Sequence, residues 1–205
     1  MPAVARVGRA IRPDHVIDAV AHLTVDALRS RAPGVTVLCF DIDGTLTDYH
    51  APTVPAPVTD HLRGLADAGY QTFVVSNCYG ERVHEVHRLF APHVTGVITP
   101  EDLVDRATPD ATPRRHGKPA PDMVLAAANR AGAAPREVLM VGDQMFKDVL
   151  AARRAGARAL LVPRLGPSDH AGVRFLQRPL ERVLRPVLGL PGPRSAWPGS
   201  LTAVP

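Results

Sequence analysis

Two aspartates one residue apart, in Asp41-Ile42-Asp43-Gly44-Thr45, directly follow an apolar run. A second run ends in Ser76-Asn77, a lysine sits in Gly117-Lys118-Pro119, and a further run ends in Gly142-Asp143-Gln144, with Asp148 shortly after. Carboxylates supply the hard oxygen ligands that Mg²⁺ takes, and they can serve as nucleophile or as proton donor and acceptor. A hydroxyl, backbone amides and an ammonium group can hold an anion. Together these groups suit chemistry on a phosphate ester. An anionic nucleophile must approach an anionic substrate there, and a divalent cation offsets the repulsion. Any one of these aspartates alone reads first as a helix cap or turn residue. Their joint occurrence, in this order, favours one shared site.

The elements around these residues would bring them together. Five continuous apolar runs, Val35–Phe40, Thr72–Val75, Val94–Ile98, Val138–Val141 and Ala159–Val162, read as strands buried on both faces. Helical stretches at Thr59–Ala68, Glu81–Phe90, Pro121–Ala131 and Asp148–Ala155 separate most of them. This alternation predicts an α/β fold with a doubly wound, Rossmann-like, five-stranded parallel sheet. Ligands bind at the carboxyl edge of such sheets, where Asp41, Ser76 and Asp143 would emerge. Before the first strand, Asp14–Leu23 and Val25–Ser30 read as short helices capped by Asp14 and Thr24. The expected organisation is a helical lead-in over 1–34, a core over 35–188 and a mobile Pro/Gly-rich tail over 189–205.

The four segments resemble, in order, the motifs of the haloacid-dehalogenase-like (HAD) superfamily of phosphotransferases, here DxDGT, a strand-end Ser, Gly-Lys-Pro and GDxxxxD. The resemblance extends to the YqeG-like class IIIA subfamily through Arg12-Pro13-Asp14, Gly142-Asp143-Gln144 with Asp148, Arg154-Ala155-Gly156, and Leu161-Val162-Pro163 followed by Ser168-Asp169. That subfamily includes phosphatidylglycerophosphate phosphatases. The resemblance implies that Asp41 attacks phosphorus to form an aspartyl-phosphate and that Asp43 protonates the leaving oxygen, then activates water. Thr45, Ser76, Asn77 and Lys118 would bind the phosphoryl group. Mg²⁺ would be held by Asp41, the backbone carbonyl of Asp43, and Asp143. Gly44 and Gly142 would shape the loops, and Asp148 would support the metal or orient Lys118. Asp43 favours phosphate-ester hydrolysis over carbon–halogen cleavage, because dehalogenation needs no leaving-group acid at that position.

The stretches between Asp43 and Phe73 and between Ser76 and Lys118 are too short for a full cap domain, so an open site is expected. Such a site suits a large substrate or one embedded in a surface, and the expected substrate is a phosphatidylglycerophosphate-like lipid. The alternatives are a small soluble metabolite of the phosphoglycolate or sugar-phosphate type and, from another class, a non-catalytic phosphate-binding or scaffold protein of the same fold. Tyr49 and His50, and Arg114, Arg115 and His116, read first as ordinary loop residues. Composition is that of a soluble globular protein, with 45% hydrophobic and 21% charged residues. A net charge of +4, spread along the chain, argues against a nucleic-acid partner. Cys39 and Cys78 form no disulfide or zinc pattern. With neither a secretory signal nor a membrane span, the expected location is cytoplasmic. A basic amphipathic stretch around Gly172–Leu188, interrupted by Pro179 and Pro186, would pack on the core or lie on a membrane surface.

Overall fold

The structure is a computed structural model that describes residues 10–104, 112–166, 178–190 and 202–203. Among the described residues seven strands form one sheet: β1 (His15–Val16), β2 (Val37–Phe40), β3 (Gln71–Val75), β4 (Gly96–Ile98), β5 (Val138–Gly142), β6 (Arg158–Leu161) and β7 (Thr202–Ala203). Their order is β4-β3-β2-β5-β6-β1-β7. All neighbours are parallel except the β1–β7 pair. The doubly wound parallel sheet is therefore as expected, but with six parallel strands instead of five.

The additional strand corrects the reading of Asp14–Leu23 as a helix. His15 pairs with Leu160 and Val16 with Leu161, so this segment completes the edge that β6 would otherwise leave open. Asp14 caps that pairing rather than a helix. Its backbone N–H donates to the Ala159 carbonyl, and its carboxylate accepts the Ala159 N–H, both at 2.8 Å. Only Val20–His22 forms a helical turn here, of the 3₁₀ type. The segment expected to be a tail contributes β7; residues 191–201 and 204–205 lie outside the described residues.

Among the described residues six α-helices accompany the sheet: α1 (Val25–Arg31), α2 (Ala56–Asp67), α3 (Glu81–Phe90), α4 (Asp122–Ala131), α5 (Leu150–Ala155) and α6 (Arg178–Val187). Thr24 does cap α1, accepting the Ala27 N–H at 3.2 Å. Strand side chains alternate between two cores. Leu38, Phe40, Val74, Leu139, Val141 and Leu160 pack with Leu28, Leu62, Leu65, Val86 and Phe90 of α1–α3. Val37, Cys39, Phe73, Val75, Val138 and Met140 pack with Met123, Ala127, Ala128, Ala151 and Ala152 of α4 and α5. Phe40, Phe73 and Phe90 are wholly buried, and each such side chain stabilises the fold by roughly 1.5–3 kcal/mol.

The helix expected from Asp148 begins differently. Met145–Val149 forms a single π-type turn, and the regular helix α5 starts only at Leu150. The wider turn has a local cause, because the Asp148 carboxylate folds back to accept the Gln144 N–H at 3.0 Å. Of the basic C-terminal stretch, Arg178–Val187 is helical and 172–177 lies outside the described residues. Pro179 sits in the first helical turn, where its missing N–H needs no partner. Leu184 and Leu188 pack against the core while Leu180, Val183 and Val187 stay exposed. Among the described residues no cap domain is inserted, and no helix is long and apolar enough to cross a membrane.

Candidate active site

Parallel pairing puts the carboxyl ends of β2, β3 and β5 side by side. Phe40 stands opposite both Val74 and Val141, so Asp41 is flanked by the loops that begin at Ser76 and Asp143. Asp41, Asp143 and Asp148 are all buried, and a carboxylate oxygen of each lies within 4.8 Å of the others. Lys118 enters this cluster from the loop before α4. Its ammonium group donates to Asp41 Oδ1 at 2.5 Å and to the Val75 carbonyl at 2.8 Å, and pairs with Asp148 Oδ1 at 2.8 Å. These three contacts use all three donors of the ammonium group. Asp148 therefore both closes its own loop and orients Lys118.

Two glycines permit this crowding. A Cβ on Gly142 would stand 2.3 Å from Asp148 Cγ. At Gly44 the backbone has a φ of 86°, and a Cβ would come within 2.8 Å of Asp143 Oδ2. Only glycine serves at both, for lack of space at one and for space and conformation at the other.

Burial works against ionisation of Asp41; the nearby Lys118 opposes that effect and the Asp148 charge adds to it, leaving the Asp41 pKa pushed up to about 6. Burial alone would lower the pKa of Lys118, but attraction to Asp148 and Asp41 outweighs it and holds the ammonium charged. Three buried carboxylates beside one buried ammonium leave an excess of negative charge. A divalent cation with oxygen preference fits that excess, which makes the cluster a suitable Mg²⁺ site.

Asp43 takes a different position. Its Oδ1 accepts the backbone N–H of His50 at 2.9 Å, and Arg82 lies 3.5 Å away. His50 adopts a φ of 53° in the left-handed region, and its ring stacks on Tyr49 with centroids 4.1 Å apart. The loop first read as ordinary thus holds the second aspartate. Asp43's carboxylate is directed at that loop and is absent from the cluster formed by Asp41, Asp143 and Asp148.

Asn77 binds Lys118 through its side chain. Its Oδ1 accepts the Lys118 N–H at 2.7 Å and its amide nitrogen donates to the Lys118 carbonyl at 2.8 Å. Ser76 is buried in the cleft wall. The cleft, with a volume of about 420 Å³, is lined by Asp41, Asp43, Ser76, Asn77, Lys118 and Gln144. Thr45 is not among its lining residues. It borders a second, largely apolar cavity of about 280 Å³ together with Leu46, Val58, His61 and Pro163.

Sequence reasoning missed Arg82, Lys147, Cys78 and Tyr79, which also line the cleft. Cys78 and Tyr79 follow Ser76-Asn77 directly and Lys147 precedes Asp148, so adjacency to the motifs was the available signal. Cys78 is not a competing nucleophile, since burial pushes its thiol up to about 11. Of the basic loop, Arg114 lies 5.8 Å above the Tyr79 ring, whereas His116 pairs with Asp122 at 2.9 Å.

A family model described as HAD-hydrolase-like matches residues 115–183, which include Lys118, Asp143 and Asp148. Over 172 residues the chain is 24% identical to the probable phosphatase YqeG of Bacillus subtilis (strain 168), covering 84% of this chain and 88% of that protein. A stretch of 57 residues is 46% identical to the phospholysine phosphohistidine inorganic pyrophosphate phosphatase of Xenopus laevis. It takes in 26% of this chain and only 21% of that protein's length. An uncharacterized protein from Listeria monocytogenes serotype 4b is similar with a TM-score of 0.49 at 17% identity, covering 74% of this chain and 99% of that one. A HAD family hydrolase from Deinococcus radiodurans R1, solved with bound phosphate and sodium, has a TM-score of 0.48 at 19% identity, covering 76% and 97%. Four separated motifs thus converge on one sheet edge, the family match spans two of them and the YqeG similarity runs along most of the chain, so this protein is similar to HAD superfamily phosphatases of the YqeG type.

Proposed function

We propose that the protein hydrolyses phosphomonoesters through a covalent intermediate on Asp41, with Mg²⁺ as cofactor. The carrying observation is the buried contact between Asp41 and Lys118 beside Asp143 and Asp148. Asp41 ends a strand in a rigid sheet, so its position is fixed before substrate arrives. Bound at Asp41, the Asp43 carbonyl and Asp143, Mg²⁺ would offset the charge repulsion and polarise the phosphoryl group.

Asp41 attacks phosphorus, the bond to the leaving oxygen breaks, and Asp43 delivers a proton to that oxygen. Asp43 then takes a proton from water, which attacks the aspartyl-phosphate and releases inorganic phosphate. The Ser76 hydroxyl, the Asn77 backbone amide and the Lys118 charge stabilise the phosphoryl oxygens. The separate location of the Asp43 carboxylate supports this division of labour, because it leaves Asp43 available for proton transfer.

The substrate we propose is a lipid headgroup of the phosphatidylglycerophosphate kind, presented at a membrane surface. The uncapped cleft and the exposed Leu180, Val183 and Val187 stripe beside Arg182 support that reading. The test is phosphate release from vesicle-presented lipid phosphate and from a panel of soluble phosphoesters, with and without chelator, using Asp41→Asn as control. Turnover of soluble esters alone would replace the lipid by a metabolite. An active Asp41→Asn enzyme would overturn the nucleophile, and no release from any ester would leave a phosphate-binding protein of this fold.

A further inference from the structure

The positive charges of the cleft are unequally committed. Lys118 has its three donors engaged by Asp41, Asp148 and the Val75 carbonyl. Arg82 is held by Glu85 at 2.7 Å and faces Asp43 at 3.5 Å. Lys147 lines the same cleft, half-buried, and its ammonium group meets no carboxylate among the described residues. It lies between Asp143 and Asp148 in sequence, on the π-type turn that the Asp148 carboxylate closes. Its backbone is therefore anchored while its charge is left open.

Of the three cations that line the cleft, Lys118 and Arg82 are thus paired with carboxylates, which leaves Lys147 as the one whose charge is uncommitted among the described residues. At about 420 Å³ the cleft is also larger than a single phosphoryl group needs, and Tyr49, His50 and Tyr79 line it as well. We propose that Lys147 is a specificity-determining residue that reads a second negative charge on the leaving-group portion of the substrate. The substrate class is then a phosphomonoester whose alcohol also carries a carboxylate or a phosphodiester. This rests on the phosphatase reading and narrows it, since esters of uncharged alcohols fall outside the class. A charge-assisted contact in a partly desolvated cleft discriminates strongly between substrates that do and do not complete it.

The test uses two matched pairs on the intact protein with Mg²⁺. The soluble pair is 3-phosphoglycerate, with a carboxylate, against glycerol 1-phosphate, without one. The lipid pair, in detergent micelles, is dihexanoyl phosphatidylglycerophosphate, with a phosphodiester, against dihexanoyl phosphatidic acid. The wild-type protein should favour the doubly anionic member of at least one pair about tenfold or more in kcat/KM, the effect of roughly one charge-assisted contact. The pair that shows it identifies a soluble or a lipid source. Lys147→Met should reduce that ratio to near unity, mainly through KM, and Lys147→Arg should restore most of it.

A wild-type ratio near unity in both pairs would overturn the proposal. So would an unchanged ratio in Lys147→Met, or an equal fall for both members. Calorimetric binding of the soluble pair to wild type and Lys147→Met separates this from failure of the phosphatase reading. If no ester is hydrolysed, a preference for 3-phosphoglycerate that Lys147→Met abolishes still upholds the subsite, and its absence rejects it.

Discussion

Asn77 grips the backbone of Lys118 from both sides, accepting its N–H and donating to its carbonyl at 2.7 and 2.8 Å. Two loops far apart in sequence are thereby locked, and the ammonium group reaches Asp41 from a fixed base. Asn77→Ala removes both bonds and strands two backbone groups. A stability loss of about 1–3 kcal/mol is expected in urea titrations. Phosphatase kcat should fall by about tenfold to a hundredfold, because a displaced Lys118 no longer meets the reacting group as designed by the fold.

Replacing Lys118 by Met should do more than remove catalytic charge. It leaves Asp41, Asp143 and Asp148 buried together without their cation, and breaking a buried pair costs about 3–5 kcal/mol. The variant should melt well below wild type in chelator and recover more of its melting temperature than wild type when Mg²⁺ is added. Equal Mg²⁺ shifts in the two proteins would count against a metal held by these aspartates.

Metal removal from the wild-type protein should abolish phosphate release, and Mg²⁺ readdition should restore it. The melting temperature should also rise with Mg²⁺ concentration, as linkage requires of any ligand that binds only the folded state. Differential scanning fluorimetry reads this without any substrate.

Gly142→Ala puts a methyl group into the space of the Asp148 carboxylate, 2.3 Å from its Cγ. The expected destabilisation is about 1–3 kcal/mol, with turnover lost more completely than stability because Lys118 loses its orienting partner. Circular dichroism melting and phosphate release on the same samples separate the two effects.

His15 and His61 both titrate below the ordinary value of 6.5, chiefly because burial disfavours their charged forms. Each binds fewer protons folded than unfolded between its lowered pKa and 6.5. The stability they confer is full above about pH 6.5 and falls as pH drops toward the folded values. Asp41, raised to about 6, acts in the opposite direction as pH falls, so the check is a difference: between pH 7.5 and 5 the melting temperature of His61→Leu should shift upward relative to that of wild type.

Much of the arrangement was legible because motif and fold agree. Continuous apolar runs named the central strands, and acids at their ends named the sheet edge. The lead-in was misread because Asp14–Leu23 has helical composition, while the open edge of β6 decides its conformation, and no local pattern reports a distant edge. Thr45 was grouped with the cleft by its place in the motif, but the loop turns there and Thr45 borders the other cavity. Arg82 was passed over because one arginine in a helix's first turn is commonplace. Its contact with Asp43 exists only once α3 is docked.

The pairing of His15 with Leu160 joins positions that the ribosome makes far apart in time. β2, which carries Asp41, lies between β3 and β5, so until residues 138–142 have been synthesised one side of that strand has no partner. A nascent chain stopped before this point would present an apolar edge, Val37–Phe40, to other chains. The same strand order that assembles the reactive centre also makes the half-made protein the species most in need of a chaperone.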